Sequence, residues 1–108
     1  MATSEIRANQ YKTIHIHKRG SDIDVAPRCA ELQFGTNEQI EWVAVPSNLV
    51  FTLSFKGESP FERTDFDNEH NISGPPVVDP GENDRFYAYT LVVDQKTIDP
   101  GVIIWRRN

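Results

Sequence analysis

Cysteine is nearly absent: Cys29 is the only one in 108 residues. A lone cysteine excludes an internal disulfide and the multi-cysteine zinc patterns. Basic side chains are also scarce, 11 against 16 acidic ones, for a net charge of -5. They are scattered too, with Lys18–Arg19 and Arg106–Arg107 the only adjacent pairs. Binding a phosphate backbone needs a concentrated basic surface, so no nucleic-acid partner is expected. No apolar run approaches membrane-spanning length, so no membrane partner is expected either. The opening MATSEIRANQYK lacks the basic-then-apolar order of a secretory signal. The expected location is cytoplasmic, or secreted or periplasmic if a signal peptide has been removed. Sustained helical periodicity, internal repeats and an interdomain linker are all missing.

What is present is strand chemistry. An apolar share of 38%, with 10% aromatics, is enough for a packed interior. The length suits one domain over residues 1–108, with a flexible start over residues 1–10. Tyr11 to Lys18 alternates, setting Ile14 and Ile16 on one face and Thr13, His15 and His17 on the other. After a turn at RGSD, Cys29 to Gly35 reads as a second strand. Gln39 to Val45 reads as a third, with Ile40, Trp42 and Ala44 sharing a face. Leu49 to Phe55 is a fourth, apolar enough that both of its faces are expected to be covered.

From residue 56 to 85 the character changes to a long acidic surface excursion. Gly57, Gly74, Gly81, Pro60, Pro75, Pro76 and Pro80 sit among eight carboxylates and forbid a long helix. The segment leaves room for a short strand at Pro76 to Val78 and a single helical turn near Pro60 to Arg63. Phe86 to Val93 then places Tyr87, Tyr89, Leu91 and Val93 on one face. After DQKTIDPG a last strand starts at Val102. About seven short strands separated by turns predict an all-β fold, an antiparallel Greek-key β-sandwich.

Three stretches together resemble the cupredoxin family, the plastocyanin-like copper sandwiches. VAPRCAELQFGTNEQIEWVAV, Val25 to Val45, follows the family's order of proline, strand, glycine turn, and an apolar residue and Trp two apart. FTLSF resembles the strand that begins with the first copper ligand, a His. YAYTLVVDQKTIDPGVIIW resembles the Tyr-x-Tyr-x-Cys strand, the ligand loop and the final strand. The resemblance spans Val25 to Trp105 and implies a cupredoxin-like domain. Its ligand positions, however, hold no ligands. The first His falls at Phe51 or its neighbours Leu49 and Val50, the Cys at Leu91, the second His near Asp94 and the Met near Ile98. A blue-copper centre needs two imidazoles and a thiolate. A metal-free member with no cofactor is therefore expected, and electron transfer at this position is not.

Other constellations are weak. Cys29 has no His at ligand spacing and reads as a small buried hydrophobe. His15-x-His17 projects two imidazoles from one strand face and could chelate a divalent ion. A metal site needs three or four ligands, and the only other histidine is His70, so the plainer reading is a solvated strand surface. DFDNE, Asp65 to Glu69, lacks the glycine and distal Glu of a calcium loop. Carboxylates are dense enough there that pairs arise by composition, so no catalytic residue is assigned. Trp42, Trp105, Tyr87 and Tyr89 read as core. Phe61 and Phe66, inside the polar excursion, either pin it to the sandwich or form an exposed anchor.

The functional expectation is a non-enzymatic domain acting through contact with another protein or with itself. Its expected surface is the excursion, with Phe61 and Phe66 as apolar anchors and Asp65, Asp67 and Glu69 setting the charge. Self-association would use unpaired edge strands. The alternative is a ligand-binding module for carbohydrate or a divalent metal ion, using exposed aromatics or His15 and His17.

Overall fold

A computed structural model describes residues 10–106. The expected flexible start falls, except for Gln10, outside the described residues. Nine strands run through the chain: β1 (Gln10–Arg19), β2 (Asp22–Ala26), β3 (Cys29–Gln33), β4 (Glu38–Val45), β5 (Thr52–Phe55), β6 (Asp65–Asp67), β7 (Arg85–Val93), β8 (Lys96–Ile98) and β9 (Gly101–Trp105). There is no helix among the described residues, and the fold is all-β.

The strands form two sheets. The smaller has the order β2-β1-β4, and the larger β3-β9-β7-β5-β6, with β8 also paired to β7. Alternation explains which faces meet. Ile14 and Ile16 of β1 are fully buried in register with Trp42 and Ala44 of β4. Across the core, Leu32, Tyr87, Tyr89, Leu91, Val102 and Ile104 face inward from the larger sheet. Trp42 donates its Nε1–H to the Tyr89 hydroxyl at 3.2 Å. Burial pushes the Tyr89 hydroxyl up to about 12, so it remains a neutral partner for the indole.

The pairing is mixed rather than purely antiparallel. β1 pairs with β4 in parallel, and so does β3 with β9. Parallel neighbours need a crossover, and between β1 and β4 the chain supplies one by crossing to β3 in the opposite sheet. At one side the chain passes from edge strand β2 to edge strand β3. At the other, residues 71–73 leave β6 and bond to the free edge of β4: the Trp42 N–H reaches Asn71 O and the Ser73 N–H reaches Ile40 O, each at 2.9 Å. These corners curl the sheets into a half-barrel.

Local structure differs from expectation in several places, beginning with β2, a strand over Asp22–Ala26 where only a turn is expected. The expected Leu49–Phe55 strand is only β5, because Asn68 takes over the backbone ahead of it. The Asn68 Oδ1 accepts from the Phe51 N–H and its Nδ2 donates to Leu49 O, both at 2.8 Å. Val50 is 69% exposed, and Thr52 and Ser54 face outward, so the segment is covered on one face only. No helical turn forms at 60–63: Pro60 O, the acceptor such a turn would use, takes the Val77 N–H at 2.8 Å, and the Ser59 hydroxyl accepts from the Phe61 N–H and donates to Arg63 O. The strand in the excursion is β6, not Pro76–Val78, whose Val77 N–H makes one isolated bond to Pro60 O. Finally, DQKTIDPG contains β8. Asp94 and Gln95, at φ 51° and 68°, form the two-residue turn of a β7–β8 hairpin.

Two outcomes test this packing. Replacing Gln95 with Gly relieves a left-handed conformation that disfavours side chains by about 1–2 kcal/mol, so the urea midpoint is expected to rise. Tyr89→Phe strands the Trp42 N–H and is expected to lower stability by about 1–3 kcal/mol. Tyr87→Phe is the matched control. Its buried hydroxyl has no partner among the described residues, so its removal is expected to leave the midpoint unchanged or raised.

Candidate functional site

The positions that resemble copper ligands lie close together at one end of the larger sheet. Leu91 faces Ile98 across the β7–β8 hairpin and Leu53 across β5. Phe51 immediately precedes β5, whose Thr52 pairs with Val92. Phe51 and Leu91 are buried, Leu49 nearly so, and Ile98 packs against the core. Asp94 turns outward and pairs with Lys18 of the smaller sheet. The place is filled by hydrocarbon, which has no lone pair for a metal. Among the described residues no group of three or more His, Cys, Asp or Glu converges.

The excursion's aromatic rings point inward. Phe61 and Phe66 are 3% and 2% exposed. The Phe66 ring lies 4.9 Å from that of Trp42, tilted by 37°, and Phe61 meets Phe55 edge-on at 5.7 Å. Of the two roles open to them, they take the structural one: they hold the excursion on the sandwich and present nothing to a partner. Burying each contributes roughly 1.5–3 kcal/mol, which an exposed anchor would forgo.

The carboxylates beside them do reach the surface. Asp65 and Asp67 line a shallow depression with Thr52, Ser54, Thr90 and Val92. A second, sharing Thr52 and Asp67, extends it past Val50 to Glu69. Asp67 is partly committed, its Oδ1 accepting from the Glu69 and His70 N–H groups at 2.9 and 2.8 Å. The His70 backbone bond is the main cause holding its carboxyl below the usual range. Asp99 is likewise held low, first by the Lys56 ammonium 3.0 Å away.

One surface residue went unnoticed in the sequence. Phe86 was expected only to open a strand, yet it is 61% exposed on the outer face of β7, the central strand of the larger sheet. Its ring lies over Gly101 so closely that a Cβ there would come within 2.2 Å of Cε1. Ile103, its cross-strand partner, is half-buried. Alternation along FYAYTLVV does assign Phe86 outward; the missing signal was a reason for a large ring to stay there. Cys29 is exposed rather than buried, in register with Gly101 on the same face. Its thiol is pushed up, first by desolvation and then by the Glu31 charge, which disfavours thiolate chemistry.

His15 and His17 lie on the outer face of the smaller sheet, away from all of these groups. Of the expected core aromatics, Trp42, Tyr87 and Tyr89 are buried and Trp105 is half-buried. No protein-family model matches the chain, and no curated protein matches it.

The low-set carboxylates have a signed consequence. A carboxyl whose folded pKa is depressed contributes stability above its ordinary value of about 4, and loses that contribution as pH falls through the folded value. Asp67→Asn is therefore expected to flatten the loss of urea midpoint between about pH 5 and pH 2. An acid limb identical to wild type would show that the Asp67–His70 turn is energetically idle.

Proposed function

We propose that the chain is a non-enzymatic, cupredoxin-like Greek-key domain without a copper centre, and that it works by contact with another protein. The contact surface in this reading is the outer face of β9, β7 and β5, centred on Phe86 and bordered by Asp65, Asp67 and Glu69.

The observation that carries the reading is the Phe86 ring, exposed yet seated over Gly101. Strand faces turned to water ordinarily carry polar side chains, and an exposed apolar patch with a polar border marks an interaction surface. A ring already held in place loses little conformational freedom on binding, which favours affinity. The neighbouring depressions continue the same face to the acidic border. Such a border attracts a partner bearing basic residues and repels a second copy of this acidic chain. The edges argue the same way. The β4 edge is covered by residues 71–73, while β2 and β3 are only five residues long and carry Asp22, Asp24 and Glu31. Short, charged edges are poor templates for self-pairing.

The test is in-cell crosslinking followed by pulldown, comparing wild type with Phe86→Ala and Gly101→Ala. Phe86→Ala removes the ring, whereas Gly101→Ala displaces it without changing it. Both are expected to deplete the same partner at least tenfold while leaving the unfolding free energy within about 1 kcal/mol of wild type. Partners recovered equally from all three proteins would refute the assignment of this face. A wild-type protein that sediments as a dimer, with no heterologous partner, would move the reading to self-association.

A further inference from the structure

The outer face of the smaller sheet carries a different chemistry. β1 sets His15 and His17 side by side, with ring centres 6.0 Å apart and planes tilted by 35°. An ion about 2 Å from each ligating nitrogen sits about 3 Å from each ring centre, so two rings sharing one ion have centres roughly 5–6 Å apart. The observed spacing is already at that limit, and small side-chain rotations suffice to close it.

The neighbours supply the rest. β2 places Ala26 opposite His15 and Asp24 opposite His17. β4 places Val43 opposite His15 and Val45 opposite His17. Side chains directly opposite one another have Cβ atoms about 4.5–5.5 Å apart, within reach of a shared ion. Asp24 is thus the only charged side chain in register with the pair, and it is negative. Lys18, which follows His17 in sequence, has its ammonium paired with Asp94. Arg19 is in register with Asp22 on the same face.

The geometry points to a divalent transition-metal site formed by His15, His17 and Asp24. Two imidazoles and one carboxylate suit zinc, nickel or copper(II), with the remaining positions taken by water. In their present rotamers no three such side chains converge, so the site closes when the Asp24 carboxylate swings toward His17. The three residues lie on the sheet opposite Phe86, so the site is independent of the contact face above.

Zinc chloride titrated calorimetrically into the full chain, with histidine ring-proton NMR alongside, tests the site. One zinc per chain is expected, shifting the ring signals of His15 and His17 but not of His70. His15→Ala and His17→Ala are each expected to weaken binding at least thirtyfold, and Asp24→Asn about tenfold, while His70→Ala changes nothing. All four positions are solvent-facing, and an unchanged urea midpoint in each variant shows that a lost heat is a lost ligand. Absence of saturable binding to wild type, or undiminished binding to the His15→Ala/His17→Ala double variant, overturns the site. Wild-type affinity in Asp24→Asn overturns the three-ligand assignment.

Discussion

The indole of Trp42 spans the space between the two sheets, and its main chain reaches in a third direction. Its ring lies 4.9 Å from Phe66 of β6 and 5.8 Å, edge-on, from Tyr89 of β7. Its N–H donates to the Tyr89 hydroxyl. The main-chain N–H and C=O of the same residue both go to Asn71, at 2.9 Å each. One residue of the smaller sheet therefore fixes the larger sheet and the returning excursion together. Two residues away, Ile40 repeats the pattern with Ser73, whose hydroxyl accepts from the Ile40 N–H and whose own N–H donates to Ile40 O. Backbone groups at a sheet edge must find partners, and here the excursion supplies them.

That fastening determines what the excursion can do. A Gly- and Pro-punctuated acidic segment would ordinarily wander over the surface, but this one is held by Phe61, Phe66, Asn68, Asn71 and Ser73 at successive points. Its two aromatic rings are consumed by the core, and its carboxylates remain outside, together with Ile72 and Val77, which are 43% and 52% exposed. The same economy operates at the end of the larger sheet beside the β7–β8 hairpin. Phe51, Leu91 and Ile98 fill that end with hydrocarbon and join the same core. Packing stabilises this end, and the β7–β8 connection is a tight two-residue turn.

Alternation made the inner faces legible in the sequence. Ile14 with Ile16, Ile40 with Trp42 and Ala44, and Tyr87 with Tyr89, Leu91 and Val93 all follow from a period of two, because that period is a property of strand geometry itself. The short strands were illegible for equally physical reasons. β6 and β8 have three residues each, too few to display a period, and β2 looks like a turn because Asp22 and Asp24 alternate with only Ile23 and Val25. The parallel pairings depend on contacts between strands far apart in the chain, which no local pattern encodes. For the candidate sites, sequence identified the residue types but not their neighbours. Phe61 and Phe66 were visible as apolar outliers without a direction, and His15 and His17 as a pair without a third ligand. Asp24 gains meaning only once β2 is recognised as a strand paired with β1.

The sandwich thus separates its two outer faces by chemistry as well as by distance. On every strand the inward set is committed to one core, so selection for any partner or ligand acts on the outward set. In the larger sheet that set holds an aromatic ring, small hydroxyl side chains and an acidic border, which together suit a macromolecular surface. In the smaller sheet it holds two imidazoles with Asp24 in register, a local set that suits an ion. The two outward sets point away from each other on opposite sheets, so a change at Phe86 and a change at His17 share no contacts. Their effects are then expected to add, and a departure from additivity would show coupling through contacts that join the sheets, such as Trp42–Tyr89 and Lys18–Asp94.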